Sequence, residues 1–175
     1  MCNVKTGTKF RIYSLQSKSY LRNQTSTLLF TGGCRNFNLF RDSKLYSNIL
    51  EYNTATDTWC KVVKLGQAYF RSAMIATTPE VSQQRFNEKR NTILLIAGGL
   101  SSVDKHAAND DVMEVDLETG IGVVIGRLAN RRFSPHLFFT KEHQLFVAGG
   151  AKNGDLDKNG EIVEDIEVVD CSGKY

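Results

Sequence analysis

The sequence predicts an all-β protein built from a repeated antiparallel unit, and three recurrences carry that prediction. Three apolar runs each end in a Gly pair: "TLLFTGG" at 27–33, "ILLIAGG" at 93–99 and "QLFVAGG" at 144–150. After each comes a polar stretch and then a second apolar segment closing on Asn or Asp: "SNILEYN" (47–53), "DDVMEVD" (110–116) and "EDIEVVD" (164–170). The second Gly precedes the closing residue by 20, 17 and 20 positions. Upstream of each Gly pair stands a third element introduced by Arg: "FRIYSL" (10–15), "FRSAMIAT" (70–77) and "RFSPHLFFT" (132–140). Three elements in one order, three times over, define a repeat.

Each segment is short, rich in Ile, Leu, Val, Phe and Tyr, and bounded by turn residues, which is strand chemistry and not helix chemistry. In chain order the first unit takes strands at 10–16, 26–32, 47–53 and 58–65. The second takes 71–78, 92–98, 111–116 and 121–128. The third takes 133–140, 144–149 and 164–170, with no fourth strand. The runs before the Gly pairs are apolar at every position, as in a strand covered on both faces. "ILEYN" and "VMEVD" alternate more, which places them nearer the outside. The residues Gly32, Gly33, Gly98, Gly99, Gly149 and Gly150 end central strands where φ turns positive and a Cβ has no room.

These residues resemble the kelch repeat, one blade of a β-propeller. The first unit is the most similar: after its Gly pair comes "YNTATDTW", with Tyr52 and Trp59 seven apart as in kelch blades. The second keeps the Gly pair and "VDLETGIG" but has Gly122 where the Trp would stand, and the third keeps the Gly pair and "VVD". The resemblance implies a partial kelch-type propeller of about three four-stranded antiparallel blades, near 10–65, 70–128 and 132–175, the last lacking its outer strand. Three blades form an arc with two raw edges, and propellers take four or more. The chain is expected to be a fragment of a longer protein, or to complete a ring of about six blades with a second copy or a partner; the remaining alternative is an open arc stable alone.

Composition narrows the function. Hydrophobic residues make up 41% of the 175 residues and charged residues 23%, an ordinary soluble balance. The net charge of +3 comes from scattered Lys and Arg without a basic stripe, so no nucleic-acid partner is expected. No apolar run approaches the roughly 20 residues that span a bilayer, so no membrane partner is expected either. The N-terminal stretch lacks an apolar signal core, and Cys2, Cys34, Cys60 and Cys171 are scattered, so the expected location is cytoplasmic. No zinc-ligand pairing, phosphate loop or nucleophile motif occurs, and the chain is read as a non-enzyme without a cofactor.

The candidate binding residues follow from the repeat. Arg11, Arg71 and Arg132 recur at what the sequence presents as equivalent positions, with Ser72 and Ser134 nearby. In kelch domains that capture acidic peptides, an Arg at the start of the inner strand faces the central pocket, and "FRSA" and "RRFS" look similar to such segments. The resemblance therefore implies a polar or acidic peptide held by guanidinium forks on the loop-rich face. The competing role for the same residues is to bind neighbouring carbonyls and keep blades in register. A scaffold docked through blade edges is the alternative function, with a kelch-type oxidase or sugar epimerase behind it. The loop "DLDKNGEI" places Asp155, Asp157 and Asn159 like the first ligands of a calcium loop, but Ile166 stands where a bidentate Glu is required. It is expected to be a polar connection.

Overall fold

The computed structural model describes residues 27–35, 44–77, 93–102, 107–140, 144–152 and 161–169. Arg11, Asp155, Asp157, Asn159 and the strand expected at 10–16 lie outside them. The described residues form strands and turns and no helix, so the all-β expectation holds.

Three antiparallel sheets follow one another along the chain. In the first, β1 (Thr27–Thr31) is followed by the short hairpin β2 (Cys34–Arg35) and β3 (Lys44–Leu45), then by β4 (Asn48–Asn53) and β5 (Thr58–Lys64). The sheet order is β1-β4-β5. The second contains β6 (Ala73–Ala76) and β7 (Ile93–Ala97), the hairpin β8 (Leu100–Ser102) and β9 (Ala107–Ala108), then β10 (Asp111–Asp116) and β11 (Gly122–Arg127). Its order is β6-β7-β10-β11. The third runs β12 (His136–Phe139), β13 (Leu145–Ala148) and β14 (Ile166–Val169), paired in that order. Every described strand of these sheets falls within a predicted segment. The two hairpins are new: they fold inside 34–46 and 100–110, which the sequence presents as loops, because strands of two or three residues leave no readable pattern.

The closing Asn and Asp have a local explanation. Asn53 Oδ1 accepts hydrogen bonds from the Ala55 and Thr56 amides at 2.9 and 3.2 Å, and Asp116 Oδ1 accepts from Glu118 and Thr119 at 2.8 and 3.2 Å. Each carboxamide or carboxylate thus builds the turn that sends the next strand back. The fourth turn position is left-handed in both, Asp57 at φ 51° and Gly120 at φ 74°.

The sheets stack through alternating strand faces. Leu29, Ile49 and Val63 of the first sheet pack on Met74, Leu94, Ile96, Met113 and Val115 of the second. Ala73, Ile93, Leu95, Ala97 and Val112, on the opposite face of the second sheet, pack on Leu137, Leu145, Val147 and Val169 of the third. Strand β7 is therefore buried along its whole length, which is why "ILLIA" shows no alternation. Tyr52 and Trp59 pair across β4 and β5 with ring centroids 4.7 Å apart, on the first sheet's face turned away from the second. At the position matching Trp59, a Cβ on Gly122 would meet Met113 Sδ at 3.2 Å and Leu65 Cδ2 at 3.6 Å. Met113 of the same sheet, together with Leu65 after β5, occupies the space that a Trp side chain needs. Among the described residues the three sheets do not close on one another.

Candidate functional site

The Gly pairs set where each sheet begins. Gly98 has φ 64°, and a Cβ there would stand 2.5 Å from the Arg132 carbonyl oxygen, far inside van der Waals contact. The same carbonyl accepts a 2.9 Å hydrogen bond from the Gly99 amide. At Gly32 the corresponding oxygen belongs to Tyr69, 2.6 Å from where a Cβ would stand. The first Gly of each of these two pairs is thus the seat for the chain that leads into the next sheet.

This seat corrects the register read from the sequence. Tyr69 and Arg132 are equivalent, each presenting its carbonyl to a Gly pair. The following residues match as well: Phe70 bridges Leu100, and Phe133 bridges Ala151, each directly after a Gly pair. Arg71 therefore matches Ser134, and both are left-handed at φ 56° and 54°. Arg71 and Arg132 are not equivalent; they lie two positions apart in the repeat. The Ser134 amide donates to the Arg71 carbonyl at 2.7 Å and ties the two positions together.

Arg132 is fully buried, 0% exposed, and all five of its guanidinium N–H groups have acceptors. Nε donates to the Asn130 carbonyl at 3.1 Å, and Nη1 to the Gly149 and Asp165 carbonyls at 3.2 and 3.4 Å. Nη2 meets Asp165 Oδ1 at 2.7 Å and also the Glu167 carboxylate. Glu167 accepts in addition from the Ala129 and Asn130 amides at 2.6 and 3.2 Å. Burial opposes ionisation of Asp165, but hydrogen bonds from Arg132 and Asn130 outweigh it and hold the carboxyl below its ordinary value. Arg132 has the carbonyl-binding role, inside the third sheet, and no donor remains for a ligand.

Arg71 is different. It is half-buried at the loop-bearing end, with its guanidinium carbon 5.8 Å from the Phe70 ring centroid and 5.9 Å from that of Phe133. Both rings belong to an apolar cap with Leu100 and Ala108, against which Leu45 and Ala151 pack. Among the described residues no carboxylate lies within ion-pairing distance of Arg71. Ser72 is buried and donates Oγ to the Tyr69 carbonyl at 3.1 Å, which makes it structural. Ser134 is half-buried beside Arg71.

A polar network missed by the sequence reading supports this end. Gln67 Nε2 donates to Tyr69 Oη at 2.9 Å and to Asp111 Oδ2 at 3.0 Å, joining residues 44 apart in the chain. Burial pushes the Tyr69 phenol above its ordinary value, the Gln67 bond opposes this, and the Asp111 charge adds to it. No signal in the sequence marks Gln67.

No group of His, Cys, Asp and Glu among the described residues is arranged to hold a metal ion, and no described helix is long and apolar enough to cross a membrane. No family model matches the chain, and no curated protein matches it.

Proposed function

We propose that the chain is a non-enzymatic recognition module, of kelch-like propeller build, that binds an acidic or polar peptide segment at the loop-bearing end of its sheets. The observation that carries this reading is the setting of Arg71. Its guanidinium rests against two aromatic rings, which restricts its orientation while leaving its N–H edge for an incoming group. A carboxylate held by such a fork gains roughly 1.5–3 kcal/mol per charge-assisted hydrogen bond. The aromatic cap beneath is itself buried, Phe70 at 2% and Phe133 at 7% exposed, and serves to hold the guanidinium in place. Arg132, by contrast, takes no part in binding.

The test is fluorescence anisotropy with an array of labelled Asp- and Glu-rich peptides at low and high salt. Arg71→Glu should abolish binding, and Arg71→Lys should weaken it about tenfold because an ammonium cannot make the bidentate pair. Peptide binding untouched by Arg71→Glu would overturn the assignment. A second reading, a scaffold docked through the flanks of its sheets, is favoured by the apolar flank of the third sheet. A partner held there would stay bound to the Arg71→Glu variant.

A further inference from the structure

The third sheet exposes the face that the first two sheets bury. The repeat register makes Ile49, Val112 and Ile166 equivalent, each the second residue of its "NIL", "DVM" or "DIE" triplet. Ile49 and Val112 are 0% exposed because each lies under the next sheet, whereas Ile166 is 61% exposed. Val168 and Phe138 are exposed on the same face, where Phe138 stacks on Phe146 at 5.4 Å. An apolar residue exposed at a position buried in both preceding repeats, with Val168 and Phe138 exposed beside it, marks a surface shaped for a partner.

Gly149 supplies an independent sign of what that partner brings. It has φ 64°, the same as Gly98. Gly98 is pressed by the Arg132 carbonyl, but among the described residues nothing comes nearer to a Cβ at Gly149 than the Val163 carbonyl oxygen at 3.9 Å. The backbone there has the shape of a seat with room for a carbonyl. A fitting partner brings a sheet face together with a backbone carbonyl at the start of that sheet.

We propose that a second copy of this chain docks head to tail, its first sheet covering the third sheet of its neighbour, with two such contacts closing the pair. Continuity of the stack selects this face. Within the chain, every sheet receives its neighbour on the side occupied in the first sheet by Leu28, Phe30, Tyr52 and Trp59. Among the described residues that side of the first sheet meets no other sheet. Its aromatic cluster, with Phe30 5.1 Å and Tyr52 4.7 Å from Trp59 between centroids, matches the exposed Phe138, Ile166 and Val168 in character. Charge agrees: β5 carries Lys61 and Lys64 and no acid, while 161–169 carries four acids and no base. Of these, Asp165 and Glu167 are paired with Arg132 and Glu161 with Lys152, leaving Glu164 to face a partner's lysine. A heterologous contact of this kind either closes or propagates, and a discrete pair is the outcome proposed.

Light scattering on the full chain, over the whole soluble concentration range, should approach twice 19.6 kDa at high loading. The exposed double substitution Ile166→Glu with Val168→Glu should hold the mass at 19.6 kDa while leaving the β circular-dichroism spectrum unchanged. Carbodiimide cross-linking of the wild-type chain, mixed with an isotope-labelled copy, should join Lys61 or Lys64 of one copy to Glu164 of the other. This arm needs no substitution and decides the matter if the double variant fails to fold. A monomer at every concentration, an open series of larger species, a pair that survives the double substitution, or cross-links between two third sheets would each overturn the proposal.

Discussion

Replacing Arg132 by Met separates a structural role from a ligand-binding one, and the contacts set the size of the effect. Five hydrogen bonds are lost: three to main-chain carbonyls and two to carboxylates. The carboxylates are not stranded equally. Asp165 is 43% exposed in its side chain and recovers water, while Glu167 is 16% exposed and keeps the Ala129 and Asn130 amides. Removing one partner of a buried ion pair costs about 3–5 kcal/mol. The retained amide bonds and solvent access place this substitution near the lower end, about 3 kcal/mol. For a domain of this size that lowers Tm by roughly 6–12 °C. Urea denaturation followed by far-ultraviolet circular dichroism measures it, and the single Trp59 in the first sheet gives a second signal. Coincident shifts of both signals mean that the sheets unfold together; a shift in dichroism alone means that the third sheet has come loose first. Glu167→Gln should cost less than Arg132→Met, because the amide oxygen still accepts. Arg132→Met with stability unchanged within about 0.5 kcal/mol would refute the reasoning, since surface groups behave that way.

Two further outcomes follow from the same contacts. Gly98→Ala places a methyl 2.5 Å from the Arg132 carbonyl at a left-handed φ, so the two sheets must separate locally, and a loss above about 2 kcal/mol in the same urea assay is expected. Asp165 has its carboxyl lowered in the folded chain, so its stabilising contribution is present above the ordinary value of 3.8 and is lost as pH falls through the lower folded value. The stability difference between wild type and Asp165→Asn should therefore stay constant down to about that pH and close below it; a difference that grows in acid would reverse the sign.

The strands were legible because burial on both faces demands apolar runs such as "ILLIA", and Asx turns demand the Asn and Asp that close "ILEYN" and "VMEVD". The candidate site was legible only in part. A seat made from a carbonyl oxygen over a glycine imposes no side-chain identity on the residue that provides it, so Tyr69 and Arg132 can share it. Matching Arg to Arg therefore slips the register by two, and Phe70 with Phe133 is the true marker. The partners of Arg132 are hidden by distance, since Asp165 and Glu167 lie 33 and 35 residues away. The open setting of Gly149 has no sequence signature, because its glycine pair matches the other two.

The backbone links between the second and third sheets include those from the Gly99 amide to the Arg132 carbonyl at 2.9 Å and from the Ser134 amide to the Arg71 carbonyl at 2.7 Å. Scalar couplings across hydrogen bonds, measured by nuclear magnetic resonance on a labelled chain, report such pairs directly. Correlations joining those two amides to those two carbonyls are the predicted result. Coupling of either amide to a different carbonyl, or exchange of both as fast as exposed amides, would contradict the arrangement of the sheets.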